Sequence, residues 1–197
     1  MVFIQKYKIY MQERRKPSLL HISRHRTQLI CNLMITYMKG KYKRIARLDE
    51  KGKRFEFLVS RLDESKNNGY YIEAMAITYA LMEERTYSLL DKLGISYRNK
   101  DKLYQCLEYF KKNIIDRQLT LTPTKMSIDE LTDWLKVEFI DSGLVDNIQL
   151  WREKRNGVIH DLAKTTIEYS DLEETCNSGS EYFRKYTAYI MKLKKVI

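Results

Sequence analysis

The spacing of apolar residues along the chain predicts a succession of helices. In "YYIEAMAITYALMEERTYSLLDKLG", from Tyr70 to Gly94, apolar positions run most of the way round a helical wheel, which predicts a long, central, largely buried helix. Gly94 stops it, glycine being the residue best suited to a left-handed cap position. Ala74, Ala76 and Ala80 leave room for another helix to approach closely. The preceding "SKNNG" reads as a turn, with Asn68 a candidate N-cap. A second helix is predicted over "KDKLYQCLEYFKKNIIDRQL", where Leu103, Leu107 and Phe110 fall at helical spacing, and "LTPTKM" reads as a connector. "SIDELTDWLKVEFIDSG" opens on Ser127 with Glu130 three residues later, the capping-box pattern. "NSGSEYFRKYTAYIMKLKKVI" supplies a last helix after a Ser/Gly turn. Earlier, "YKRIARLDEKGKRFEFLV" suits either a hairpin turned at Asp-Glu-Lys-Gly or a helix beginning near Lys53, and the helix is preferred.

Helices joined by short connections predict an all-α, up-and-down bundle. Composition agrees. With 7 Gly, 2 Pro and 44% apolar residues in 197, the chain is neither disordered in composition nor supplied with the turn residues of a sandwich or barrel. Cys31, Cys106 and Cys176 lie far apart without metal-type spacing and read as packing residues in a reducing cytoplasm. The longest apolar run, "LICNLMITYM", is too short to span a bilayer and lacks a cleavage site, so neither a membrane anchor nor a signal peptide is expected.

Charge divides the chain in two. Residues 1–54 hold 15 Lys and Arg against 3 Asp and Glu, a balance of +12, while the remainder holds 21 against 23. Residues 1–54 are therefore read as a basic N-terminal extension facing phosphate or membrane, and 55–197 as the bundle. Within the extension, "MVFIQKYKIYMQERRKP" is predicted as a basic amphipathic helix ended by Pro17. Its Tyr7 and Tyr10, with Tyr37 and Tyr42, offer base-stacking or packing surfaces. His21 and His25 have helical ligand spacing, but no third ligand is near and Arg24 and Arg26 repel a cation, so no metal site is expected.

Candidate chemistry concentrates in "WREKRNGVIHDLAK", Trp151–Lys164. Leu144, Ile148, Trp151, Arg155, Val158 and Leu162 follow the spacing of a core-facing stripe, which puts a guanidinium where an apolar side chain belongs. Beside that stripe Arg152, Asn156, His160 and Lys164 recur every four residues as a polar ridge. On one continuous helix Arg155 and His160 stand roughly 140° apart, so they meet only if Asn156-Gly157 distorts the helix or a second subunit brings the sites together. A loop boundary at Asn156-Gly157, with merely solvated basic residues, is the alternative.

Arg155-Asn156, three residues and His160 resemble the active motif of HEPN-domain proteins: Arg, four to six residues, then His, often with Asn after the Arg. The long Ala-rich helix placed early, and a further helix after the motif, fit the same family over about residues 55–197. The resemblance implies a HEPN-like bundle, homodimeric with its active site at the interface, acting as a metal-independent endoribonuclease without cofactor. It further implies a cytoplasmic prokaryotic defence or toxin effector, acting on RNA and controlled by an antitoxin or regulatory partner. His160 would take the ribose 2′-hydroxyl proton or protonate the leaving oxygen, an imidazole titrating near ~6.5 in model peptides. Arg155 would hold the phosphate, Asn156 would orient the His or a phosphate oxygen, and Arg152 and Lys164 would contact RNA phosphate. Products would be 2′,3′-cyclic phosphate and 5′-hydroxyl ends. Glu73, Glu83 and Glu84 are candidates for a supporting acid that tunes His160, with surface salt bridges as the alternative. Where HEPN toxins paired with nucleotidyltransferase antitoxins carry Tyr two residues after the His, this chain has Leu162, so control by modifying that Tyr is not expected. Two other readings stand beside this one: a non-catalytic RNA- or partner-binding bundle, and a leader that attaches to anionic membranes.

Overall fold

The computed structural model describes residues 48–162 and 164–197, and every regular element among them is helical. Helix α1 spans Leu48–Asn67, α2 Tyr71–Leu93, α3 Leu103–Ile115, α4 Ile128–Leu135, α5 Leu144–Asp161 and α6 Tyr169–Leu193; a π-helical segment, Lys136–Asp141, carries α4 on towards α5. The chain is thus an all-α bundle. Backbone contacts divide it between Leu48 and Asp49, and Asp49–Ile197, which holds all of these helices but the first residue of α1, forms the second unit. The expected leader helix before Pro17, together with His21, His25, Cys31, Tyr7, Tyr10, Tyr37 and Tyr42, lies outside the described residues.

Helix α2 is central. It buries Ala74, Met75, Leu81, Met82, Leu89, Leu90 and Leu93 completely or nearly so, and packs most extensively against α6, with α3 and α5 closing around it. Gly94 caps it at φ 69°, as the sequence predicts. α1 runs antiparallel to α2: Arg61 Nε reaches Glu73 at 2.7 Å, while Lys51, earlier in α1, pairs with Glu84, later in α2. α6 instead runs parallel to α2. The Tyr71 and Tyr169 rings lie 4.9 Å apart near the two helix starts, and further along Thr86 and the fully buried Tyr186 share a 3.0 Å hydrogen bond.

Leu103, Leu107 and Phe110 are buried in α3 as their spacing predicts, and Ser127 and Glu130 form the expected capping box of α4. The π-helical turn after α4 is not legible in the sequence. Its wider turn shifts the helical register. Phe139 is thereby buried among Phe110, Tyr189, Tyr186 and Trp134, at centroid distances of 5.3, 5.4, 5.8 and 6.1 Å, and Val137 is left exposed.

Three local expectations are corrected. The helix preferred from Lys53 begins at Leu48, so Asp-Glu-Lys-Gly is helical rather than a turn. Asn68 does not cap α2: its Nδ2 donates to the Glu64 carbonyl at 2.7 Å and closes the end of α1. The Ser/Gly sequence Asn177–Ser180 is not a turn either, but lies inside α6. Its glycine is there for space, because a Cβ on Gly179 would fall 2.3 Å from Trp151 Cε2. A turn signal in sequence and a helix–helix contact both call for glycine, and here packing decides.

Candidate functional site

Helix α5 runs unbroken through Asn156-Gly157 to Asp161, which overturns the loop boundary considered there. Glycine in a helix costs about 1 kcal/mol relative to alanine, but burial of Leu144, Val145, Ile148 and Trp151 anchors the helix upstream. Asn156 also lacks the free side chain that favours a turn, since its Oδ1 accepts from Arg155 NH1 at 2.9 Å.

The predicted stripe is core-facing at its start and half-buried later: Leu144, Ile148 and Trp151 are buried, whereas Arg155, Val158 and Leu162 are intermediate. Arg155 therefore sits where the bundle opens towards solvent. Its Cζ lies 5.1 Å from the centroid of the Tyr79 ring on α2. Its Nε is buried without a hydrogen-bond partner. No carboxylate among the described residues pairs with it. Burial lowers the guanidinium below its ordinary range, opposed by Tyr79, and an arginine cannot shed its proton to relieve that cost. The structure thus holds a positive group, half out of water, with unused donor capacity.

Arg152 stands one turn earlier with its Cζ 5.1 Å from the Tyr104 ring on α3. It donates from Nε to Gln149 Oε1 at 3.1 Å and from NH2 to Glu153 Oε1 at 2.9 Å. Gln149 in turn donates to the Tyr104 carbonyl at 3.1 Å, fastening α5 to α3. Burial raises the Tyr79 phenol, and the positive charges of Arg155 and Arg152 oppose that rise. Tyr79 and Tyr104 are the site residues that sequence reading missed. Neither carries a motif, and only their packing distinguishes them from the chain's other tyrosines.

His160 lies exposed in the last turn of α5, and Lys164 is exposed just past its end, its backbone N–H bonded to the Asp161 carbonyl at 2.9 Å. Five residues of unbroken helix place His160 about 140° round and about 7.5 Å along from Arg155. The structure therefore sets Arg155, with Asn156 bonded to it, against Tyr79 and Arg152 one turn earlier against Tyr104, and leaves His160 on another face of the same helix.

The acidic candidates on α2 face other partners. Glu73 accepts from Arg61 Nε at 2.7 Å and Glu84 pairs with Lys51, so α1 engages both. Glu83 is only 8% exposed, and burial raises its carboxyl to about 7 despite the opposing Leu103 backbone N–H. Cys106 and Cys176 are buried free thiols, pushed up by burial to about 12 and about 11. Among the described residues no three or more His, Cys, Asp or Glu are grouped to hold a metal ion, and no helix is long and apolar enough to cross a membrane. No family model matches the chain, nor does any curated protein or solved structure.

Proposed function

We propose that the chain is a HEPN-type, metal-independent endoribonuclease of the cytoplasm, a defence or toxin effector working as a homodimer. The observation that carries this reading is Arg155: a half-buried guanidinium with no carboxylate partner and an unpartnered Nε, next to Asn156 and on the same helix as an exposed histidine. A phosphodiester would satisfy what the protein leaves unsatisfied there. Asn156 acts through Arg155, since its Oδ1 takes one NH1 proton and fixes the direction of the remaining donors.

In the reaction, His160 removes the proton from a ribose 2′-hydroxyl. The 2′-oxygen attacks the adjacent phosphorus, the bond to the 5′-oxygen breaks, and an imidazolium protonates that leaving oxygen. The products are a 2′,3′-cyclic phosphate and a 5′-hydroxyl. Arg155 supports the pentacoordinate transition state, a contribution of about 10²–10³ in rate for comparable donors, and the histidine adds about 10²–10⁴. Because α5 is unbroken, the phosphate held by one Arg155 is reached by the His160 of a second copy. Arg152 and Lys164 contact flanking phosphates, and a regulatory or antitoxin protein is the expected partner.

The same unbroken helix favours one other reading, an RNA- or partner-binding bundle that cuts nothing, because one chain alone does not bring Arg155 and His160 together. End-labelled single-stranded RNA incubated in EDTA with wild type, Arg155→Ala and His160→Ala decides between them. The nuclease reading expects cleavage by wild type only, leaving cyclic-phosphate ends, with RNA binding retained in His160→Ala. Intact RNA with the purified dimer, with or without divalent cations, puts the binder ahead.

A further inference from the structure

Positive charge also collects away from Arg155, at the end of the bundle where α1 begins and α2 and α6 stop. Because α6 runs parallel to α2 and α1 antiparallel to it, three lysines belong to that one end: Lys51 early in α1, Lys92 in the last turn of α2, and Lys194, the C-cap of α6. Arg85 lies behind them, its Cζ 3.5 Å from the centroid of the Phe55 ring and its Nε buried without a hydrogen-bond partner. Tyr79 and Arg85 are six residues apart on α2, about 120° round the helix, so this end and the Arg155 site occupy different faces.

The cations are close enough to act on one another. After burial, repulsion by Arg85, Lys92 and Lys51 pushes the Lys194 ammonium below the usual lysine range, and no carboxylate offsets it. Acids share this end too: Glu84, paired with Lys51 and acting on Arg85, Glu50 beside Lys51 in α1, and Asp91, which follows Leu90 in the last turn of α2 and accepts from Tyr97 Oη at 3.1 Å. The C-termini of α2 and α6 add roughly half a negative charge each. Even so, Arg85, Lys92 and Lys194 form no ion pair with a carboxylate among the described residues, and Arg85 Nε keeps a buried donor unused.

Cations crowded together without carboxylate partners are relieved by an anion. The cations come from the ends of three helices rather than from a nest of backbone N–H groups, an arrangement suited to successive phosphates along a strand better than to one caged ion. The chain's basic excess also enters α1 here, through Lys51, Lys53 and Arg54. We propose that this end of the bundle is a second RNA contact, at which Lys92 and Lys194, backed by Arg85 and Lys51, hold the phosphodiester backbone of a single strand. The proposal rests on RNA as the substrate, and it separates the grip on RNA from the place where α5 cuts.

The test is fluorescence anisotropy of a short labelled single-stranded RNA with the full chain, in a His160→Ala background so that nothing is consumed. Lys92→Glu/Lys194→Glu is compared with Lys66→Glu/Lys112→Glu, the same charge change elsewhere, and melting curves check that all variants fold. The expected result is a Kd raised about tenfold or more for the first pair only, with the slope of log K against log salt reduced by about 1.4. Lys92→Gln/Lys194→Gln shifts both quantities the same way by less. Equal effects of the two charge reversals overturn the proposal. So does a first pair that releases the protein from vesicles containing a quarter phosphatidylserine while leaving RNA binding unchanged. If wild type cuts no RNA yet binding depends on Lys92 and Lys194, only the nuclease reading falls; if wild type cuts and binding ignores them, only this proposal does.

Discussion

The Trp151 indole occupies the place where a side chain on Gly179 would be. A Cβ there would lie 2.3–2.5 Å from three ring atoms, and the ring's Nε1 donates to the Thr175 carbonyl at 2.8 Å. α5 is pinned to α6 at that point, one turn before Arg155, so the direction in which the arginine points depends on the contact.

Gly179→Ala is expected to destabilise the bundle. Forcing a methyl into a packed seam costs about 1–3 kcal/mol, and the better helix propensity of alanine returns about 1. With the ring this close the net loss is about 2 kcal/mol, read from urea denaturation. An unchanged midpoint would mean that α5 and α6 lie further apart than described.

Gly157→Ala has the opposite sign. A Cβ on Gly157 meets nothing within 4 Å and the residue is helical, so alanine gains about 0.5–1 kcal/mol. Loss of stability instead would show a turn at Asn156-Gly157 and undo the unbroken α5.

Glu83 gives stability a pH dependence. Its carboxyl is raised by burial from 4.5 to about 7 in the folded chain, so the stability it contributes is fully present below about 4.5 and is lost as pH rises through about 7. The loss is on the order of 3 kcal/mol at most. Glu83→Gln, which keeps the shape without the charge, should flatten that slope, and denaturation series at pH 5 and pH 8 measure it. Parallel slopes for the two proteins would put the pH response elsewhere.

Arg155→Met separates stability from activity. Replacing a half-buried charge that has no carboxylate partner with an apolar side chain of similar length is expected to leave stability unchanged or raise it by about 1 kcal/mol. RNA cleavage should fall by about 10² or more. A variant that melts early and cuts in proportion to its folded fraction would make Arg155 a packing residue.

Mixing tests the second copy. Equal amounts of Arg155→Ala and His160→Ala, each inactive alone, should recover about a quarter of wild-type cleavage after subunit exchange if the two residues act across a two-fold interface. No recovery from exchanged dimers argues that each site needs all its residues from one chain.

The helices that position the site were readable because their signals are local: apolar spacing over Leu103, Leu107 and Phe110, a capping box at Ser127 and Glu130, a glycine stop at Gly94. What escaped depends on neighbours distant in sequence. Asn156-Gly157 and the segment around Gly179 carry turn chemistry, yet both are helical, the first held by upstream burial and the second by the Trp151 ring. Arg155 was legible as a charge out of place on an apolar stripe. Its partner Tyr79 was not, because nothing within α2 sets that tyrosine apart until α5 packs against it.

Thr86 and Tyr186, whose hydroxyls meet at the centre of the bundle, are 100 positions apart, as are Gly69 and Tyr169. Helices form from neighbouring residues in microseconds, whereas contacts this remote wait for the intervening chain. During synthesis α5, bearing Arg155 and His160, emerges before the surface of α6 that fixes its orientation. Until α6 follows, Trp151 has no Gly179 to rest on and α2 keeps an open apolar flank. Arg155 takes its final place against Tyr79 only as a late product of folding.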